Sequence, residues 1–314
     1  MKFALNKNHR LFVAGHRGMV GSALIRCLNR YGYKNIFVRS RQECDLTDYP
    51  SVVKLFSRQK PEVIILAAAK VGGIQANIEQ PFEFLADNFI IAANIIRASI
   101  INNAQKIVML GSSCIYPRQC PQPMKEDYLL TGPLEPTNEG YALSKIAGIR
   151  LAQYAFSQYG LSCLNPIPCN LYGPNDSFDP RYSHVISALV RKFINAQKRK
   201  EPKVMIWGTG KARRELMHVD DCAAAIVFLL EHYDSPQIIN VGWGTDYSIH
   251  RIAEIISQKV GFNGTIDWDK GKPDGMPRKC LDVTRLSNLG FQPRIDFQKG
   301  VEDVIRQYRQ TFND

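Results

Sequence analysis

Metal-binding spacing is missing from this chain. Its eight cysteines are Cys27, Cys44, Cys114, Cys120, Cys163, Cys169, Cys222 and Cys280. They form no Cys-x-x-Cys pair, and no cysteine–histidine cluster has zinc spacing. No apolar run approaches the length of a membrane span. There is no internal repeat and no low-complexity segment. Met1 to His9 is basic but lacks a long apolar stretch and a small-residue cleavage site, so it does not read as a secretory signal. The thiols are therefore expected to be reduced, in a cytoplasmic protein. No nucleic-acid motif accompanies the basic residues, whose one denser patch is Lys198-Arg199-Lys200.

What is present is an ordinary globular composition with a basic excess. Of 314 residues, 45% are hydrophobic and 22% charged, which allows one large domain or two closely joined ones with a sizeable core. Lys and Arg number 40 against 29 Asp and Glu, a formal charge of +11. Such a field attracts an anionic small molecule, such as a nucleotide sugar or a phosphorylated cofactor.

Strands and helices alternate through the first half. Arg10–Ala14, Asn35–Val38, Val63–Ala67 and Lys106–Leu110 read as strands. Apolar residues take helical spacing up to Tyr31, over Tyr49–Arg58 and over Pro81–Asn102. Continuously apolar strands between helices mark a parallel sheet covered on both faces. The expected fold is α/β: a Rossmann-type, doubly wound parallel sheet with a smaller C-terminal α/β lobe. Its expected extents are 1–171 for the cofactor-binding domain, with a later segment of about 215–245 returning to it, and 172–214 with 246–314 for the lobe. In the second half Ser162–Leu171 reads as a strand and its exit loop, and Tyr172–Tyr182 as a polar loop. His184–Lys198, Val219–Tyr233, Ser248–Val260 and Phe297–Phe312 read as helices, Trp207–Gly210 as a turn, and Ile238–Gly242 as a strand.

Between the first strand and first helix stands Gly15-His16-Arg17-Gly18-Met19-Val20-Gly21. The glycines allow a tight turn and close approach of a pyrophosphate to the helix N-terminus, whose free amides attract anions. A carboxylate for ribose hydroxyls is expected at the end of the second strand. Arg39-Ser40-Arg41 stands there instead, with no carboxylate before Glu43. Guanidinium groups match a 2′-phosphate in charge and fork geometry. Together with Arg17, this pair favours NADP(H) over NAD. Asp45 and Leu46 suit the adenine edge, and Ala67 and Ala68 leave room for the cofactor.

Downstream stand Ser112, Tyr141 and Lys145. The Tyr-x-x-x-Lys spacing puts both side chains on one helix face. The ammonium is expected to favour the phenolate and draw the phenol pKa down. A tyrosine so tuned exchanges a proton with a carbonyl oxygen while hydride moves at the adjacent carbon.

Gly111-Ser112-Ser113-Cys114-Ile115-Tyr116-Pro117 is the most specific of several blocks resembling the GDP-L-fucose synthase family. Others are Ala67 through Ile74, Glu135-Pro136-Thr137-Asn138, Asn170 through Pro174, Ser183 through Ile186, Arg214 through Asp221, and Lys272 through Gly275 with Pro277-Arg278-Lys279. The resemblance spans nearly the whole chain. It implies conversion of GDP-4-keto-6-deoxy-D-mannose to GDP-L-fucose with NADPH, by a homodimer sharing a helix bundle. It implies that Ser112, Tyr141 and Lys145 handle the sugar ketone, and that Cys114 and His184 are the acid/base pair, the cysteine abstracting and the histidine returning a proton, a direction the sequence does not fix. Pro168, Asn170, Leu171 and His184 are implied on the cofactor. Lys192, Trp207, Arg214 and Asp274 are implied on the GDP part. Lys192 stands where relatives often carry arginine, and Cys169 where threonine is common. Plainer readings exist for each: a buried thiol for Cys114, a helix cap for His184, a turn residue for Ser112, core packing for Trp207, an ion pair with Glu215 for Arg214. Rival functions are an NAD-dependent nucleotide-sugar 4-epimerase or dehydratase, an inactive NADP sensor, and a nucleic-acid binder.

Overall fold

The computed structural model describes residues 5–179, 183–272, 274 and 276–312. The chain runs β1 (Leu11–Ala14), α1 (Met19–Arg30), β2 (Ile36–Phe37), α2 (Tyr49–Gln59), β3 (Val63–Leu66), α3 (Ile74–Glu79), α4 (Pro81–Ile101), β4 (Lys106–Met109) and α5 (Glu139–Tyr159). It continues through β5 (Ser162–Pro168), β6 (Asn170–Tyr172), α6 (Val185–Lys198), β7 (Lys203–Trp207), β8 (Arg213–His218), α7 (Val219–His232) and β9 (Ile238–Val241). The last elements are β10 (Asp246–Ser248), α8 (Ile249–Val260), β11 (Thr265–Asp269), β12 (Arg278–Lys279), α9 (Thr284–Asn288) and α10 (Phe297–Thr311).

Six strands form a parallel sheet in the order β2-β1-β3-β4-β5-β9. Every residue of β1 and β3 is buried, as continuous apolar runs require when helices cover both faces. Helices α1 and α7 pack together, as do α4 and α5. The chain leaves β1 for β2 on one side and returns to β3 on the other. That reversal opens a crevice at the strands' carboxyl ends, where ligands bind in such sheets.

A second sheet, β10-β8-β12 with β6 also on β8, stands beside it, and β7 pairs with β11. Its core is built by α6, α8 and α10 through residues such as Phe193, Ile256 and Val304. The junction runs through β8, where Leu216 packs into this core and Met217 into that of the large sheet.

Several elements differ from the sequence reading. The Gly/Ala-rich loop contains the short helix α3. Segment 203–218 holds two strands rather than a turn alone. In β7 burial alternates strictly, so only two residues of five are apolar core. In β8 the strand opens on two arginines, which a propensity reading does not favour. Helix α4 also corrects the expectation about membrane-length runs. With mean hydropathy 1.5 over its best window, it is by length and composition long enough to cross a membrane. One face of it, including Phe84, Ala92, Ile95 and Ala98, is buried within the protein.

Glu215 fixes the junction chemically. It is 1% exposed. Its carboxylate accepts from the amides of Gly244 and Leu281, both at 2.7 Å. Burial pushes its carboxyl up to about 7 against these hydrogen bonds. Glu215→Gln replaces one acceptor by a donor and leaves a buried amide unpaired. A loss of about 1–3 kcal/mol in unfolding free energy is expected, read from denaturant midpoints. An unchanged midpoint would show that the clamp carries no stability.

Candidate active site

The glycine loop follows from sterics. Gly15 has φ +87°, and a Cβ there would sit 2.6 Å from Ala68 N. A Cβ on Gly21 would sit 2.1 Å from Gly15 O, so Gly21 is a packing position between helix and loop. Gly18 has room, with its nearest neighbour 3.5 Å away, and its amide donates to Gly15 O at 3.0 Å. It begins α1 with no side-chain cap, leaving the first amides free. His16 and Arg17 lie on the outer wall of the groove beside this turn, Met19 and Val20 on the inner.

The groove has two compartments that share Gly15, Gly18, Ala68 and Ala69. The outer one, about 440 Å³, is ringed by Arg17, Arg39, Ser40 and Arg41 and floored by Asp45 and Leu46. Glu43 is held by Ser40, accepting from its amide at 2.7 Å and its hydroxyl at 2.8 Å. Arg41 Nε donates to Asp45 at 3.0 Å. Asp45 also takes the amide and hydroxyl of Thr47, which hold its carboxyl below the usual range. Three guanidinium groups around a groove that ends in free helix amides fit a dinucleotide carrying an extra phosphate.

The inner compartment, about 490 Å³, gathers Ser112, Tyr141, Lys145 and His184 with Ala67, Pro168, Asn170 and Leu171. Ser112 caps the 3-10 turn Ser113–Ile115 and accepts from the Cys114 amide at 3.4 Å. Tyr141 and Lys145 stand on α5, with Lys145 Nζ 5.5 Å from the Tyr141 ring centroid. Phe84 meets that ring edge-on, centroids 6.4 Å apart.

The expected lowering of the tyrosine is not found. Burial pushes the Tyr141 phenol up and the Lys145 ammonium down to about 8. Desolvation of the buried phenol is the largest cause, and a charge on Cys114 would push it the same way. Burial thus favours the neutral, proton-bearing form of this phenol.

Cys114 is 6% exposed and sits behind Ser112 rather than on the cavity wall with the other four. A charge on its sulfur would bear on Tyr141, Lys145 and Lys279. His184 precedes α6 but makes no capping hydrogen bond. Its Nδ1 lies 2.9 Å from Asp176 instead. That hydrogen bond raises its pKa, against burial.

The residues expected on the GDP part lie apart from this cavity, on the second sheet and its neighbours. Trp207 is 67% exposed, so it is not core, and Lys272 stands over its ring at 5.5 Å. Lys192 donates to the Met205 carbonyl. Arg214 does not pair with Glu215; it donates to the carbonyls of Arg213 and Met276 at 2.8 and 2.6 Å. Asp274 accepts from the Thr209 amide and hydroxyl, each at 2.6 Å. Pro180, Arg181 and Tyr182 of the expected polar loop, and Pro273 and Gly275 of a resembling block, lie outside the described residues.

Two further residues stand at the site without a signal of their own in the sequence. Lys279 belongs to a resembling block but has no assigned role there. Its ammonium is driven down by burial, opposed by Cys114, and placed near Arg214. Asp176 carries no spacing signal, since a loop joins it to His184.

Fold and crevice define a nicotinamide-dinucleotide enzyme of the extended short-chain dehydrogenase/reductase kind. Residues 11–242 match the NAD dependent epimerase/dehydratase family. GDP-L-fucose synthase of Escherichia coli (strain K12) is 46% identical over 308 residues, covering 95% of this chain and 96% of its own. GDP-L-fucose synthase 1 of Arabidopsis thaliana is 45% identical over 303 residues, covering 96% and 94%. Among solved structures, MlghC, a GDP-mannoheptose C4 reductase from Campylobacter jejuni with NADP bound, superposes with TM-score 0.89 at 32% identity, covering 98% of this chain and 100% of that one. The chain belongs to the NAD dependent epimerase/dehydratase family, among its GDP-L-fucose synthases.

Proposed function

We propose that this chain converts GDP-4-keto-6-deoxy-D-mannose to GDP-L-fucose with NADPH, by epimerisation at C3 and C5 and reduction at C4. One observation carries the reading. A proton-bearing tyrosine, a serine, a lysine and a histidine share one cavity, and that cavity opens into an arginine-ringed dinucleotide groove. The rival NAD-dependent 4-epimerase or dehydratase is not favoured, since it needs neither the arginines nor a second acid/base pair.

The C4 ketone acidifies the hydrogens on C3 and C5. Inversion at each carbon removes a proton on one face and returns one on the other. His184, held by Asp176, supplies one group, and Cys114, behind Ser112, supplies the second. Ser112 and Tyr141 hydrogen-bond O4 and stabilise the enolate. NADPH, when bound, supplies the hydride for C4. Tyr141 gives its proton to O4 in that step, and Lys145 holds the nicotinamide ribose beside it. Gly15, Gly18 and the α1 amides hold the pyrophosphate. Lys192, Arg214, Trp207 and Asp274 hold the GDP, the large sheet serving the cofactor and the smaller lobe the sugar nucleotide.

The test is NADPH consumption with and without this substrate, in heavy water, with NADH alongside. Consumption only with substrate, and product deuterated at C3 and C5, is expected. Consumption without deuterium would leave a simple reductase, and none at all would end the reading. Arg39→Ser is expected to raise the NADPH KM roughly 10- to 100-fold, the value of one charge-assisted hydrogen bond of about 1.5–3 kcal/mol. It should leave the NADH KM unchanged, and equal effects on both would remove Arg39 from the 2′-phosphate.

Phe82, Leu85 and Phe89 make an exposed apolar face on α4, beside Leu143 and Tyr154 on α5. That face suits a second copy of this chain, so the working form is a homodimer. All eight cysteines are free thiols, which supports a cytoplasmic setting.

A further inference from the structure

Asp176 is 7% exposed, and its carboxylate is held on every side. One oxygen accepts from the Ser177 amide at 2.9 Å and meets His184 Nδ1 at 2.9 Å. The other accepts from the Ser187 hydroxyl at 2.5 Å. Ser187 lies one turn along α6 from His184, so a single carboxylate spans the first turn of that helix. Among the described residues no lysine or arginine pairs with it, so its one possible counter-charge among them is His184 when protonated. The loop itself is tied at its neighbour. Asn175 donates to Ser22 of α1 at 2.8 Å, and its amide to Gln307 of α10 at 3.1 Å. The opposite edge of the His184 ring is open, its side chain 44% exposed where it lines the cavity.

We propose that Asp176 is a positioning residue, which pins His184 through Nδ1 so that Nε2 faces the reacting sugar carrying a proton. This proposal rests on the epimerase-reductase reading, in which His184 is one of the two acid/base groups. The titratable groups facing this corner are Asp176 from the loop, Tyr141 and Lys145 from α5, and Cys114 behind Ser112. Helices α1 and α10 present the uncharged Ser22 and Gln307. A carboxylate on Nδ1 favours the imidazolium, so His184 keeps its proton to higher pH than a free imidazole. Removing that negative charge lowers the pH at which the proton is lost.

The experiment compares wild type, Asp176→Asn and Ser187→Ala for deuterium uptake from heavy water across pH, beside NADPH binding. Asp176→Asn is expected to move the high-pH limb of uptake down by about one unit or more. At pH 8 its uptake should fall at least ~10-fold, with NADPH affinity unchanged. Ser187→Ala should leave the limb where it is. A limb unmoved by Asp176→Asn, or moved equally by Ser187→Ala, overturns the proposal. Nitrogen NMR of wild-type histidines, with His184→Gln for assignment, reads the same point without relying on folding of the Asp176 variant. The His184 resonance should titrate above the ordinary histidine value of about 6.5. Titration at or below it also overturns the proposal. If wild type neither exchanges nor consumes NADPH, the functional reading fails, and the NMR titration still decides the dyad.

Discussion

Tyr141→Phe lowers the rate of NADPH oxidation about 10²- to 10⁴-fold, the usual worth of a positioned proton donor. The argument starts from packing. The phenylalanine ring keeps the edge contact with Phe84, so the thermal midpoint should stay near that of wild type. What disappears is the hydroxyl, which burial keeps protonated. Reduction at C4 needs that proton on O4 as the hydride arrives. Deuterium uptake needs only stabilisation of the enolate, which Ser112 also provides. Uptake should therefore fall less than NADPH oxidation, and the ratio of the two measures the separate role. Stopped-flow NADPH absorbance within about tenfold of wild type would remove Tyr141 from proton delivery.

Cys114→Ser suppresses deuterium uptake at C3 and C5 about 10²-fold or more, while NADPH binding stays as in wild type. A serine hydroxyl is far less acidic than a thiol, so it cannot act as a base near neutral pH. The substitution is close in size, and the site is 6% exposed, so its packing changes little. In the proposed complex the adenosine and phosphates of NADPH lie along the glycine loop and Arg39, in the outer compartment away from this turn. The burial of Cys114 behind Ser112 makes the test severe. Undiminished uptake would mean that the base is elsewhere, and His184 would have to be paired with another group.

The large sheet was legible because its strands are short, apolar throughout and punctuated by glycine. Val63–Leu66 is buried along its whole length, so hydropathy alone betrays it. The second sheet was obscure for the opposite reason. In β8, Arg213 and Arg214 precede Glu215, and a strand built of charges gives no hydropathic signal. Arg213 pairs with Asp246, Arg214 donates to the Met276 carbonyl and Glu215 clamps two amides, so tertiary demands override propensity. Within the site, Ser112, Tyr141, Lys145 and His184 stand in recognisable blocks and do converge. Asp176 did not show itself, because its partners depend on how a loop folds back onto α6. The phenol departs from expectation because spacing reports that two side chains share a face, not how deeply they are buried.

Strand β8 sends consecutive side chains, Leu216 and Met217, into different cores. It is a seam and not a hinge. Swinging the two lobes apart would tear one interior or the other, at the expense of buried apolar surface. Parting the lobes would therefore expose apolar surface on at least one side of this strand, whichever way they moved.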